Sequence, residues 1–77
     1  MSIKVKFFAS LREKLGTDSV EIEDIAVSTV REAWQQATHQ NEIPANTLCA
    51  INMYYAKLDD AVHDGDEVAF FPPVTGG

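Results

Sequence analysis

The segment Thr29-Val-Arg-Glu-Ala-Trp-Gln-Gln-Ala37 predicts the principal helix of this chain. Thr29 and Glu32 have the spacing of a capping box, in which each side chain accepts a hydrogen bond from the other residue's backbone N–H. The apolar residues behind them recur at i, i+3, i+4 and i+7, as on one face of a helix: Val30, Ala33, Trp34 and Ala37. We therefore expect a helix over residues 30–40, anchored in the core by Trp34.

Segments on both sides of this helix alternate apolar with polar residues, which is typical of half-buried strands. In the first strand we expect Ile3, Val5 and Phe7 to point inward, and in the last strand Val68 and Phe70. The predicted strands are residues 3–8, 19–23, 48–53 and 67–71, with residues 54–58 as a short edge strand or a loop. One mixed sheet packed against one main helix is an α+β layer pair.

Two local signals complete the predicted order of elements. Ser10 and Glu13 have the spacing of a second capping box, which predicts a short helix over residues 10–15 that stops at Gly16. The sequence His63-Asp-Gly-Asp66 predicts a turn before the last strand, with Gly65 as its pivot.

The alternation leaves Phe8 and Phe71 on the sheet face that the helix does not cover. Burying one Phe side chain is worth about 1.5–3 kcal/mol, so two exposed ones indicate a surface that a partner covers. The alternative is that a loop folds over one of them.

Size and charge exclude several classes of function. The chain has 77 residues, 45% of them hydrophobic, and a net charge of −6, so we expect a single domain spanning residues 1–77. Nucleic acids and anionic membranes bind through Lys and Arg, which are outnumbered two to one here. A single cysteine excludes an internal disulfide, and without a signal peptide or membrane span we expect a cytoplasmic protein.

The last strand runs directly into Pro72-Pro-Val-Thr-Gly-Gly77. The two prolines end sheet pairing and hold the chain extended, so we expect residues 71–77 to form a slim, flexible tail. Glycine at the end allows another protein's backbone and reactive groups to approach closely. A tail of this kind fits a narrow channel of a partner, although a frayed terminus is the usual fate of such residues.

The C-terminal run Asp64-Gly-Asp-Glu-Val-Ala-Phe-Phe-Pro-Pro-Val-Thr-Gly-Gly77 resembles the C-terminus of the small, sulfur-carrying subunits of molybdopterin synthases. The segments Val5-Lys-Phe-Phe-Ala-Ser-Leu-Arg-Glu13 and Ala50-Ile-Asn52 also resemble that family. Related sulfur carriers for thiamin synthesis share the Gly-Gly end but typically lack the preceding Pro-Pro-Val. The resemblance implies a ubiquitin-like β-grasp fold, in which the first and last strands lie side by side at the centre of the sheet.

The same resemblance implies a function in molybdenum cofactor biosynthesis. Gly77 would be adenylated with ATP by a partner similar to ubiquitin-activating enzymes, and a sulfur donor system would then convert it to a thiocarboxylate. The large synthase subunit would take up the tail and catalyse sulfur transfer to a cyclic pyranopterin, in a heterotetramer of two small and two large subunits. This chain itself would hold no catalytic residue, no metal and no permanently bound cofactor. The implied tail residues are Pro73, Val74, Thr75 and Gly76, and the implied interface residues are Phe8, Arg12 and Phe71.

Other candidate residues have simpler interpretations. Cys49 lies in an apolar run and is expected to be a buried structural residue. His39 and His63 lack the spacing of a zinc site. The acids Asp59, Asp60, Asp64, Asp66 and Glu67 lack the ligand pattern of a calcium loop and predict a solvated rim facing basic partners. The sequence contains no GxGxxG, P-loop, GxSxG or HExxH motif, so no enzyme class has support.

Three alternative functions stay open on the sequence. The chain could carry sulfur for another pathway, with the same chemistry at Gly77 and a different acceptor. It could be a covalent protein modifier, joined through Gly77 to lysines. It could also be an interaction module with an inert tail.

Overall fold

A computed structural model of the chain describes residues 2–23 and 27–73. The described residues form two helices and a five-stranded sheet: β1 (Ile3–Phe7), α1 (Ala9–Leu15), β2 (Ser19–Ile22), α2 (Val30–Thr38), β3 (Leu48–Ile51), β4 (Tyr54–Ala56) and β5 (Glu67–Phe71). The strand order is β2-β1-β5-β3-β4. The central strands β1 and β5 are parallel, and the other pairs are antiparallel, so the predicted mixed sheet is confirmed.

The core lies between the sheet and α2 and is organised by three aromatic rings. Trp34 of α2 meets Phe7 of β1 edge to face, with ring centroids 5.8 Å apart, and meets Phe70 of β5 in the same way at 5.1 Å. The rings of Phe7 and Phe70 stack at 6.1 Å. All three side chains are buried. Each such aromatic pair stabilises the fold by about 0.5–1.5 kcal/mol beyond the contribution of the buried apolar area.

The predicted capping box at the start of α2 is confirmed. The backbone N–H of Glu32 donates to Thr29 Oγ1 at 3.3 Å, and the N–H of Thr29 donates to Glu32 Oε1 at 3.1 Å. The N–H of Ser28 also donates to Glu32 Oε1, at 2.7 Å. These bonds hold the pKa of the Glu32 carboxyl below its usual range, since the bond from Ser28, and then that from Thr29, favour the charged form.

The helix α2 ends at Thr38, two residues before the predicted end. His39 adopts the left-handed conformation, with φ at +59°, and its N–H donates to the carbonyl of Gln35. The left-handed residue turns the chain out of the helix, so Gln40 lies outside it.

The capping box predicted at Ser10 is wrong. The helix α1 begins one residue earlier, at Ala9, and its N-cap is Phe8, which makes no side-chain capping bond. The reason lies in the sheet, because the N–H of Phe8 donates to the carbonyl of Phe70 while its own carbonyl accepts from Leu11. Ala9 is held at φ +53°, a conformation that costs a residue with Cβ about 1–2 kcal/mol. Gly16 ends the helix at φ +75°, as predicted.

The strand predicted at residues 48–53 is two residues shorter, because Asn52 and Met53 form a turn. Their φ angles are +50° and +74°, the signs that a two-residue hairpin turn requires. Met53, expected in a buried strand, is 91% exposed at the tip of the hairpin. The edge strand considered for residues 54–58 is present as β4.

Within residues 2–23 and 27–73, neither helix has the length or the apolar character that crossing a membrane would require.

We predict that Thr29→Ala lowers the free energy of unfolding by about 1 kcal/mol, because the N–H of Glu32 loses its partner. The matched control is Ser10→Ala in α1, which removes a hydroxyl from the first turn of a helix but no capping bond. Urea denaturation followed by Trp34 fluorescence measures both. Equal destabilisation by the two substitutions would contradict the assignment of the caps.

Candidate functional site

The open face of the sheet, on the side opposite α2, carries a shallow groove. The strand registers align Lys6, Ala69, Ala50 and Tyr55 across β1, β5, β3 and β4. The two alanines lie at the centre of this row, and larger side chains surround them, so the surface is concave. The groove has a volume of about 350 Å³ and is lined by Lys6, Phe8, Ala50, Met53, Tyr55, Glu67, Ala69 and Phe71.

Phe8 and Phe71 occupy one end of this groove, as the alternation predicts. Phe8 is 47% exposed. Phe71 is half-buried and packs against the ring of Tyr55 at a centroid distance of 5.9 Å. The partial cover over Phe71 therefore comes from β4 of the same sheet, and both rings still face the groove.

The other end of the groove is charged. Lys6 Nζ lies 3.4 Å from Glu67 Oε2, and Lys4 is in register with both Glu21 and Glu67. The side chains of Lys6 and Glu67 are each more than a third exposed, so this pair contributes at most about 1 kcal/mol to the free energy of unfolding. The groove thus combines an apolar end with a charged end.

Arg12 lies beside the apolar end. It is exposed on α1 and shares a second depression, of about 190 Å³, with Phe8, Asp18 and Ser19. Lys6 borders both depressions. The fold therefore brings Phe71, near the end of the sequence, to the same end of the face as Phe8 and Arg12, near its start.

The predicted tail leaves the domain at this same end. Phe71 is the last residue of β5, and Pro72 and the exposed Pro73 follow it directly. The other predicted tail residues, Val74, Thr75, Gly76 and Gly77, lie outside the described residues. The apolar end of the groove and the starting point of the tail are adjacent, so a partner that covers Phe71 also meets Pro72.

The hairpin tip at the far side of the groove is fixed by Asn52. Its backbone N–H donates to the carbonyl of Glu67 at 2.8 Å, and its side-chain Oδ1 accepts from the N–H of Glu67 at 2.9 Å. Its Nδ2 donates to Asp66 Oδ1 at 2.9 Å, and Asp66 Oδ2 accepts from the N–H of His63 at 2.8 Å. The bond from Asn52, and then that from His63, hold the pKa of Asp66 below its usual range.

Sequence reasoning missed Ala50, Met53 and Tyr55 as groove residues. The sequence pattern predicts Met53 within a strand, and it does not decide between a strand and a loop for the segment that contains Tyr55. The available signal was the Asn-Met pair between two apolar segments, because Asn tolerates the left-handed conformation better than most residues.

The other chemically reactive residues have structural positions. Cys49 is buried, as predicted, and its thiol donates to the carbonyl of Ala56 at 3.1 Å. Burial, and then the charge of Asp60, raise the pKa of this thiol. His39 and His63 are exposed.

Much of the predicted acidic rim is engaged in local contacts. Asp60 accepts from the N–H of Lys57, Asp59 pairs with Arg31, and Asp66 holds the hairpin tip. Within the described ranges, no group of three or more His, Cys, Asp or Glu residues is arranged to hold a metal ion.

Comparison with known proteins places the chain in a family. The profile of the ThiS family matches residues 5–77. Two curated relatives, from Haemophilus influenzae and Escherichia coli, are each named molybdopterin synthase sulfur carrier subunit. Each is 40% identical to this chain over an alignment of 84 positions that covers 97% of this chain and 99% of the relative.

Solved structures confirm the ubiquitin-like β-grasp fold. SAMP1 from Haloferax volcanii, a small archaeal modifier protein, is 30% identical and superposes with a TM-score of 0.78 over 100% of both chains. A chain from the complex of subunits 1 and 2 of the molybdopterin-converting factor of Helicobacter pylori superposes with a TM-score of 0.66 over 100% of both chains. That second protein is 22% identical, so the likeness is one of fold.

The lowered pKa of Asp66 predicts an acid-dependent stability. A carboxyl whose pKa is lower in the folded state stabilises the fold above its unfolded pKa, and this contribution is lost as the pH falls through the folded pKa. We expect Asn52→Ala, which removes the main cause of the shift, to lose less stability than the wild type between neutral pH and the acid range. Denaturation midpoints measured over that range give the comparison.

The control is Asp64→Asn, which removes a carboxylate from the same turn but leaves the bonds of Asn52 in place. Its acid dependence should follow the wild type. If Asn52→Ala also follows the wild type, Asp66 does not hold the hairpin tip in the way described.

Proposed function

The chain belongs to the ThiS family, and from this we propose that it is the sulfur carrier subunit of a molybdopterin synthase. The observation that carries the proposal is the 40% identity to two proteins of that name, across almost the full length of both partners in each alignment. The groove and the position of the tail are consistent with a subunit that acts when bound to another protein.

The proposed chemistry takes place at the carboxylate of Gly77. A carboxylate is a poor electrophile, so an activating enzyme similar to those of ubiquitin first joins it to AMP from ATP and releases pyrophosphate. Hydrosulfide supplied by a sulfur donor system then attacks the carbonyl carbon, and AMP leaves with the carboxylate oxygen. The resulting thiocarboxylate is ionised at neutral pH. It donates its sulfur to a cyclic pyranopterin, and water adds to the acyl carbon to restore the carboxylate.

This chemistry places no catalytic demand on the domain itself. Cys49 is buried and its pKa is raised, which makes it a poor nucleophile. The groove contains Lys6 and Glu67, which are paired with each other. We therefore assign catalysis to the large subunit and assign presentation of the reactive terminus to this chain, which needs no metal and no resident cofactor.

We further propose that the groove residues Phe8 and Phe71, together with Arg12, contact the large subunit. The apolar end of the groove offers a desolvated anchor site, and Arg12 at its border offers a bidentate donor for a carboxylate or a carbonyl. Because the tail starts at Phe71, docking there aligns Pro73, Val74, Thr75 and Gly76 with a channel in the partner. Residues 72–77 reach at most about 20 Å, so the reactive carbon lies within that distance of the docking surface.

The first test is mass spectrometry of the intact protein, isolated from cells that hold the activating enzyme and a sulfur donor. We predict a population that is heavier by the difference between sulfur and oxygen, with the added mass located on Gly77. Deletion of Gly77 should abolish both this population and pterin sulfuration while the denaturation midpoint stays at the wild-type value. A protein that never carries sulfur under these conditions would overturn the proposal.

The second test compares Phe8, at the start of α1, with Phe70 and Phe71 of β5. We predict that Phe8→Ser or Phe71→Ser weakens binding to the large subunit by at least roughly tenfold, since a buried aromatic anchor carries about 2 kcal/mol or more. Phe8→Ser should change the free energy of unfolding by less than about 1 kcal/mol, because Phe8 is exposed. Phe70→Ala, one residue from Phe71, should instead lower it by about 3–5 kcal/mol by opening a core cavity.

Gln36→Ala, on the exposed side of α2, is the control for both measurements and should resemble the wild type. Isothermal titration calorimetry with the large subunit measures the binding. Wild-type affinity in both Phe8→Ser and Phe71→Ser would show that the partner docks elsewhere.

A second candidate function is covalent modification of proteins. It is favoured by the 30% identity to a protein named as a small archaeal modifier. The same activated Gly77 would then be attacked by a lysine amine, which forms an isopeptide bond and releases AMP. An epitope-tagged chain that yields a ladder of larger conjugates in immunoblots, lost on deletion of Gly77, would support this function, and its absence alongside sulfur on Gly77 would exclude it.

A further inference from the structure

The outer edge of β4 is open. Within residues 2–23 and 27–73, β4 pairs with β3 on one side, and no strand pairs with its other side. Ile51 and Tyr54 flank the two-residue turn and face each other, so the next pair, Ala50 and Tyr55, is the one without mutual hydrogen bonds. The backbone N–H and C=O of Tyr55 therefore point away from β3, toward solvent.

Both sides of this edge carry exposed aromatic area. Tyr55 lies on the groove face and is 77% exposed, and Tyr54 lies on the opposite face and is 79% exposed. A strand added alongside β4 would place its alternating side chains against Tyr55 on one face and Tyr54 on the other. Each ring would then bury apolar surface that the isolated chain leaves in water.

The opposite edge of the sheet, β2, is protected in the way that proteins usually protect such edges. Glu21 is exposed within β2, and Asp18 and Glu23 flank the strand. Charged side chains on an edge disfavour pairing with another chain. The three residues of β4 carry no charge, and Lys57 follows at the end of the strand.

The edge of β4 is also held rigidly before any partner arrives. Asn52 fixes the turn that leads into β4 through its three hydrogen bonds to Asp66 and Glu67. Beyond β4, the carbonyls of Leu58 and Asp60 accept from the N–H groups of Arg31 and Val30 at the start of α2. A preformed edge lowers the conformational entropy lost on binding.

The charges around the edge decide between a second copy of this chain and a different partner. Asp60 lies beyond one end of β4, Asp66 is bonded to Asn52 of the hairpin tip at the other end, and Lys57 is the single Lys or Arg among residues 54–73. Two copies paired antiparallel through β4 would bring both Lys57 and Asp60 of each toward the hairpin tip of the other, so the local contacts would include both signs of charge. The net charge of −6 on each copy opposes the pairing of two copies and favours a partner that carries Lys or Arg.

We propose that the edge of β4 binds an extended segment of another protein by strand addition, and that this segment carries Lys or Arg on both sides of an alternating apolar stretch. Backbone hydrogen bonds to Tyr55 supply the pairing, and the flanking bases complement Asp60 at one end and Asp66 beside the hairpin tip at the other. This second interaction site goes beyond the proposed sulfur carrier function, because it requires neither Gly77 nor the tail.

The test uses the isotope-labelled full chain and a short synthetic peptide of alternating Val and Thr residues with paired Lys residues at each end. We expect amide chemical shift changes concentrated at Tyr54–Ala56 and slower hydrogen exchange at the N–H of Tyr55. A peptide with Glu in place of Lys should bind at least roughly tenfold more weakly, as charge complementarity predicts. Equal binding of the two peptides, or shift changes confined to the groove or to β2, would overturn the proposal.

Two substitutions at Tyr55 separate the backbone from the side chain. Tyr55→Pro removes the outward N–H at an edge position that tolerates proline, whereas Tyr55→Val keeps it. We expect Tyr55→Pro to bind the lysine-flanked peptide roughly fivefold or more weakly than Tyr55→Val, as the loss of a peptide hydrogen bond predicts. Equal affinities would overturn the strand-addition mode.

If Tyr55→Pro fails to unfold cooperatively when Trp34 fluorescence is followed, the comparison of the two peptides on the wild type decides the question. Shift changes at Tyr54–Ala56 that depend on protein concentration without peptide would assign the edge to a second copy instead. None of these measurements depends on sulfur transfer. A negative result for the β4 edge therefore leaves the proposed sulfur carrier function untouched, and a negative result for sulfur on Gly77 leaves the β4 site untouched.

Discussion

The parallel pairing of β1 with β5 is the constraint on which the rest of the structure depends. Its register sets Phe7 opposite Phe70, and both rings then pack against Trp34. Because successive side chains of a strand point to opposite faces, this register also determines that Phe8 and Phe71 face away from α2. A slip of β5 by one residue would turn Phe70 to the open face and Phe71 toward α2. The core and the groove are therefore two consequences of one alignment.

The same pairing explains the irregular start of α1. The N–H of Phe8 is the last to bond across to β5, and the chain must then leave the sheet within one residue to begin a helix. Ala9 makes this turn in the left-handed conformation. This turn at Ala9 keeps Phe8 on the open face, beside Arg12 and next to the end of β5.

Local patterns in the sequence predicted the elements, and the departures have physical causes. The alternation in β1 and β5 was sufficient to predict these strands, and the capping box at Thr29 to predict the start of α2, because each pattern depends on residues close in sequence. The capping box at Ser10 was a false signal, since the tertiary bond between Phe8 and Phe70 fixes the start of the helix instead. The extent of the groove also escaped prediction. Met53 and Tyr55 reach it only because Asn52 is bonded to Asp66 and Glu67, residues that are distant in sequence.

The burial of Cys49 keeps the thiol of this chain from reacting with other groups. In the proposed function Gly77 becomes an acyl adenylate, and an accessible thiolate on the domain would attack it and form a misplaced thioester. Here the thiol is enclosed by the core, donates to the carbonyl of Ala56 and has a raised pKa, so its nucleophilic form is scarce at neutral pH. For the proposed function, the packing of β3 and β4 thus keeps the Cys49 thiol out of the chemistry that we assign to Gly77.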